Sequence, residues 1–88
     1  MNLTLSATSY YPKTSLRKNP KTYNKVLLGI GGNKPHTLRA FRNLFRILRT
    51  HPKIFYIESS PILHNPAFGF IQQPPFENAT LLLHTTYN

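Results

Sequence analysis

Val26-Leu27-Leu28-Gly29-Ile30 is a short apolar run that ends in Gly31-Gly32-Asn33. Such a run entering a turn predicts a buried strand. From Leu38 to Arg49 the period lengthens: an advance of about 100° per residue gathers Leu38, Phe41, Leu44, Phe45 and Leu48 on one face of a helix. Arg39, Arg42, Arg46 and Arg49 gather on the other face. Pro35 and Thr37 suit the entry of this helix and Pro52 its end. Ile54-Phe55-Tyr56-Ile57 is β-branched and aromatic, which predicts a second strand closed by Pro61. Alternation is weak between Ala79 and Thr86, but Leu81-Leu82-Leu83 among threonines predicts a third, largely buried strand.

Two stretches lack such periods. Residues 1–23 mix Ser, Thr, Asn, Tyr and Lys with Pro12 and Pro20, and are expected to form an extended or disordered basic arm ahead of a domain over 24–88. Between Pro61 and Phe76 stand too many prolines for a strand ladder and too many phenylalanines for an idle linker. This stretch is expected to be a structured loop.

Charge sharpens the picture. All eleven Lys and Arg lie between Lys13 and Lys53, and both acids, Glu58 and Glu77, come later, so residues 1–53 carry +11 and residues 54–88 carry −2. A basic half points to an anionic partner without choosing one. The arginine stripe would suit a nucleic-acid backbone, yet it contains no aromatic for bases to stack on, and solvated charged faces are common. The chain has no cysteine, which suits a cytoplasmic location, and no apolar run approaches the roughly 20 residues of a membrane helix.

Most site chemistries find no support. Gly29-Ile30-Gly31-Gly32-Asn33 lacks the spacing of a dinucleotide or phosphate loop, and a tight turn explains its glycines. His36, His51, His64 and His84 have no metal-binding spacing. With no aspartate in the chain, no catalytic triad or magnesium pair is apparent, so no catalytic or metal-binding residue is assigned. The loop before the third strand offers more. Pro66, Phe68 and Phe76 are flat apolar walls, and the amide of Asn78 could read the polar edge of a heterocycle stacked between them. A loop that tucks its phenylalanines into the core, with Asn78 capping backbone groups, is the other reading.

Taken together in this order, Gly31-Gly32-Asn33, Ser59-Ser60, Asn65-Pro66-Ala67-Phe68-Gly69, Gln72-Gln73 and Phe76-Glu77-Asn78-Ala79 resemble the N-terminal motifs of the hydroxymethyldihydropterin pyrophosphokinase family. The resemblance runs from Lys25 to about Thr86. It implies an α+β, ferredoxin-like fold, here an incomplete strand-helix-strand-strand half of a βαββαβ unit, whose first strand would keep an unpaired edge. It implies transfer of pyrophosphate from ATP, with Mg²⁺, to 6-hydroxymethyl-7,8-dihydropterin in folate biosynthesis. Carried over by position, Gly31, Asn33, Asn65, Pro66, Phe68, Phe76 and Asn78 would face the pterin, and Gln72 and Gln73 would sit in a closing loop. Gly32 and Asn65 depart from the serine and threonine usual there. The carboxylates for ATP-bound magnesium are missing, so a fragment needing a C-terminal half, or a monomer inactive alone, is expected. A small nucleic-acid-binding protein is the alternative.

Overall fold

The computed structural model describes residues 3–18, 20–65 and 76–87. One helix packs on one face of a six-stranded antiparallel sheet. The strands are β1 (Thr4–Ser6), β2 (Thr14–Leu16), β3 (Asn24–Gly32), β4 (Ile54–Ser59), β5 (Ile62–Asn65) and β6 (Phe76–Thr85), and the helix α1 (Thr37–Thr50) lies between β3 and β4. Each expected element is present, and each strand expected from an apolar run is longer than that run. Strand β3, expected to be buried, has no buried residue: Val26 and Leu27 are 40% and 72% exposed, because among the described residues β3 has a neighbour on one edge only.

Strand β6 runs through the middle. From Glu77 to Thr85 it pairs with β3, from Asn24↔Thr85 to Gly32↔Glu77. On its other edge β4 takes the C-terminal half and β5 the N-terminal half. Since β3 and β4 are both antiparallel to β6, they are parallel to each other, and α1 is the crossover between them. This split β-α-β arrangement is the partial ferredoxin-like unit expected from the sequence. Among the described residues β3 has no neighbour on its outer edge.

Pro61 does not end the second strand region. The chain resumes pairing with β6 one residue later, so the front of the expected loop is strand β5. Ser60 makes the join possible. At the break between β4 and β5, its N–H donates to Thr80 O (2.9 Å) and its hydroxyl accepts from Thr80 N (2.9 Å). Both backbone groups of Thr80 are thereby satisfied where no strand residue faces them.

The core lies between sheet and helix. Phe41, Phe45, Ile54, Ile57, Ile62, Ala79, Leu81 and Leu83 are buried there, with Leu44 and Leu48 packed at the margin. This matches the apolar face read from the helical period, except that Leu38 is exposed. Thr37 fastens the helix entry, donating to Lys34 O at 2.8 Å while accepting from Lys34 N at 3.1 Å. Among the described residues no helix is long and apolar enough to cross a membrane.

The N-terminal segment is extended and docked. Strand β1 pairs with β5, and β2 pairs with β4, so both lie at the far side of the sheet from β3. Between them Tyr11 enters the core at 1% exposure. Its ring meets Phe41 and Phe45 at 5.7 and 5.9 Å between centroids, and its hydroxyl donates to Phe41 O at 2.8 Å. Ser59 holds the same turn: its Oγ donates to Tyr10 O and accepts from Lys13 N, each at 2.8 Å. Arg17 then spans to the helix end, donating to His51 O and Ile54 O.

Burial pushes the Tyr11 phenol up from 10 to about 12. In the folded state it therefore keeps a proton that the unfolded chain releases above pH 10. Its stabilising contribution is complete below about pH 10 and is lost as the pH rises towards 12. Tyr11→Phe should cost about 1 kcal/mol near neutral pH through loss of the hydrogen bond. It should also flatten the fall in stability between pH 10 and 12. Urea melts across that interval check both; an unchanged alkaline slope counts against Tyr11 as its source.

Candidate functional site

The register of β6 separates its side chains by face. Ala79, Leu81, Leu83 and Thr85 are buried towards α1. Phe76, Asn78, Thr80, Leu82 and His84 alternate with them and stand on the opposite face, over which the described residues place no helix. That face is open, as the 72% exposure of Leu27 beside Leu82 illustrates.

Cross-strand rows on the open face follow directly from the pairing. One row runs Leu5, Leu63, Asn78, Gly31. The adjacent row places Asn65 opposite Phe76. Four residues expected at the site, Gly31, Asn65, Phe76 and Asn78, thus come together at one end of this face. Asn33 follows two residues beyond Gly31. The remaining expected residues, Pro66, Phe68, Gln72 and Gln73, lie outside the described residues. Phe76 and Asn78, expected on and just after a loop, stand on the strand itself.

Gly31 is fitted to Asn78. A Cβ at Gly31 would lie 2.5 Å from Asn78 Oδ1, so the absent side chain leaves the space that the amide occupies. Asn78 is half-buried, Phe76 is 41% exposed, and the buried Oδ1 of Asn65 has no hydrogen-bond partner among the described residues. An aromatic surface, an amide and an unsatisfied carbonyl-type acceptor therefore share one end of the sheet. Chemically, this combination suits a planar ligand with a hydrogen-bonding edge.

Two neighbours escaped the sequence reading. Leu63 flanks Asn78 in its row and Leu5 stands beyond Leu63; both were missed because β5 lay inside the apparent loop and β1 inside the apparent arm. No period of three residues could have revealed β1.

The acids stand elsewhere. Glu77 is on the helix side of β6, its Oε2 3.6 Å from His64 Nδ1, and His64 Nε2 bonds to Ser6 Oγ at 2.6 Å. Glu58, on the open face, accepts from Tyr56 Oη at 2.7 Å, which raises the Tyr56 pKa above its ordinary value. A magnesium ion asks for converging oxygens. These two carboxylates are on opposite faces, and the described residues contain no group of three His, Cys, Asp or Glu that could hold a metal ion.

No family model and no solved structure matches the chain. Among curated proteins, a 2-amino-4-hydroxy-6-hydroxymethyldihydropteridine pyrophosphokinase of Helicobacter pylori is 40% identical over 79 residues, covering 90% of this chain and 48% of the relative. One of the same name from Campylobacter jejuni is 37% identical over 60 residues, covering 68% of this chain and 38% of the relative. The chain belongs to the 2-amino-4-hydroxy-6-hydroxymethyldihydropteridine pyrophosphokinase family. It spans about half the length, or less, of these pyrophosphokinases. A 79-residue match leaves only nine of the 88 residues outside it. The likeness therefore reaches into the N-terminal segment, beyond the Lys25 boundary expected from the motifs. That agrees with the docking of this segment into the sheet.

Gly31→Ala tests the fit between Gly31 and Asn78. The new methyl meets the end of a flexible side chain, so stability should stay within about 1 kcal/mol of the parent. The Asn78 side-chain amide should nevertheless shift in two-dimensional nitrogen–proton spectra, and an unmoved amide would refute the proximity of the two residues.

Proposed function

We propose that the open end of the sheet is the pterin-facing wall of a pyrophosphokinase that transfers pyrophosphate from ATP to 6-hydroxymethyl-7,8-dihydropterin in folate biosynthesis. The observation that carries this reading is the cross-strand pairing of Gly31 with Asn78 beside the exposed ring of Phe76. On this reading Phe76 stacks on the pterin ring, and the Asn78 amide donates to and accepts from its polar edge. Asn65, Gly31 and Asn33 shape the floor. Pro66 and Phe68 extend the wall, and Gln72 and Gln73 belong to a loop that closes over the substrates.

The division of labour follows from residue chemistry. A flat heterocycle gains most from apolar burial, and a few placed amides then fix its orientation. Phosphoryl chemistry needs positioned charge instead. Glu58 and Glu77 do not converge, so they do not fit a site for the magnesium that the family uses with ATP. No step of the transfer is assigned to the residues of this chain. The reading includes a cytoplasmic location, which a cysteine-free chain suits.

Asn78→Ala should weaken binding of 6-hydroxymethylpterin by about tenfold or more, because it leaves polar edges of a desolvated ligand unpaired. Pterin fluorescence titration of the 88-residue chain measures this directly. Equal affinity in the variant, with an unchanged melting temperature, would remove Asn78 from the site.

A further inference from the structure

The helix side of the molecule carries a second feature that the pterin reading leaves unused. Arg39, Arg42 and Arg46 are exposed on α1, and Arg49 lies half-buried at the end of the same row. At 1.5 Å per residue the row is about 15 Å long. The two acids of the whole chain cannot neutralise it. Glu58 is bonded to Tyr56 and Glu77 lies beside His64, and among the described residues neither forms an ion pair with an arginine of α1. The row is therefore four guanidiniums without a carboxylate, a self-repelling arrangement that an external anion would relieve.

Docking of the N-terminal segment turns this row into a cleft. Thr8, Ser9 and Tyr10 face Leu38, Arg39 and Arg42 across a space of about 320 Å³. Three hydroxyl-bearing residues and two arginines thus line one opening, a donor set suited to phosphate oxygens. Thr8 Oγ1 already accepts from Tyr10 N at 3.3 Å, which leaves its hydrogen to donate outward. Helix α1 has no acid in its first turn and no side-chain cap, so the positive end of its dipole adds to the same potential.

Tyr10 extends the cleft along the helix. Its ring packs on Phe45 at 5.3 Å, with Lys13 Nζ 4.9 Å and the Arg49 guanidinium 5.7 Å from its centroid. The sequence alone left the arginine stripe without an aromatic. The tertiary structure brings one onto it and adds Lys13 as a further cation. A single phosphate would fill only the Arg39–Arg42 end, whereas a chain of phosphates would meet the whole row.

We propose that this cleft and the arginine row form a binding site for a chain of phosphate groups, supplied by a linear polyphosphate or by a single-stranded nucleic-acid backbone. The site is on the face of the sheet opposite the pterin wall. Its interactions are ionic, so affinity must fall with salt as counterions compete.

The test uses the full chain with two probes, inorganic tripolyphosphate followed by tyrosine emission and a labelled oligothymidylate followed by anisotropy, each at several salt concentrations. The double variant Arg39→Gln/Arg42→Gln should weaken binding by about tenfold or more. It should also flatten the log–log salt slope by about 0.7 for each single-strand phosphate that the variant no longer neutralises. Both side chains are exposed, so its melting temperature and pterin affinity should equal those of the parent. Binding of both probes assigns a nucleic-acid backbone, and binding of tripolyphosphate alone assigns a free polyphosphate. Absence of binding by both, or equal binding in the double variant, overturns the site. Asn78→Ala separates the two sites, since it should leave the phosphate affinities unchanged whatever it does to the pterin.

Discussion

Strand β6 must satisfy hydrogen-bonding groups along both of its edges, and the way it does so determines the rest of the molecule. Strand β3 covers one edge from Glu77 to Thr85. The other edge is divided between β4 and β5, with Ser60 serving the backbone of Thr80 at the gap. A strand at the centre of a sheet cannot leave such groups unpaired without a cost of about 1–3 kcal/mol each. The Ser60 hydrogen bonds are thus part of the fold.

The same strand sorts the molecule into two chemical faces. Of its buried residues, Ala79, Leu81 and Leu83 share the core with Phe41 and Phe45 of α1. Its alternate residues, Phe76 and Asn78 among them, are left on a face over which the described residues place no helix. A residue shift of one in the β3–β6 register would exchange these sets. Gly31 would then no longer face Asn78, and the amide would meet a different neighbour. Core packing and site geometry are therefore fixed by one register.

The N-terminal segment completes the helix side. Tyr11 inserts between Phe41 and Phe45, and Ser59 clamps the turn around it. Burial of an aromatic ring of this size contributes on the order of 2 kcal/mol, enough to hold strands as short as β1 and β2 against the sheet edges. The same insertion places Tyr10 and Lys13 over the arginine row. A packing event in the core thereby creates the cleft on the surface.

The sequence by itself determined α1, its apolar face and its arginine row, because a helix fourteen residues long repeats its 3.6-residue period often enough to be read. It also determined the buried centres of β4 and β6, the position though not the exposure of β3, and, through ordered short motifs, the family. Several features were decided only by tertiary structure. Strands β1 and β2 are three residues each, too short to show a period, and owe their order to the edges of β5 and β4. Strand β5 was hidden because Pro61 reads locally as a stop, while pairing with β6 is a long-range interaction. The approach of Asn78 to Gly31, and of Tyr10 to the arginines, joins residues 47 and about 30 to 40 positions apart in the chain. Local propensity carries no information across such separations; hydrogen-bond register and side-chain burial supply it.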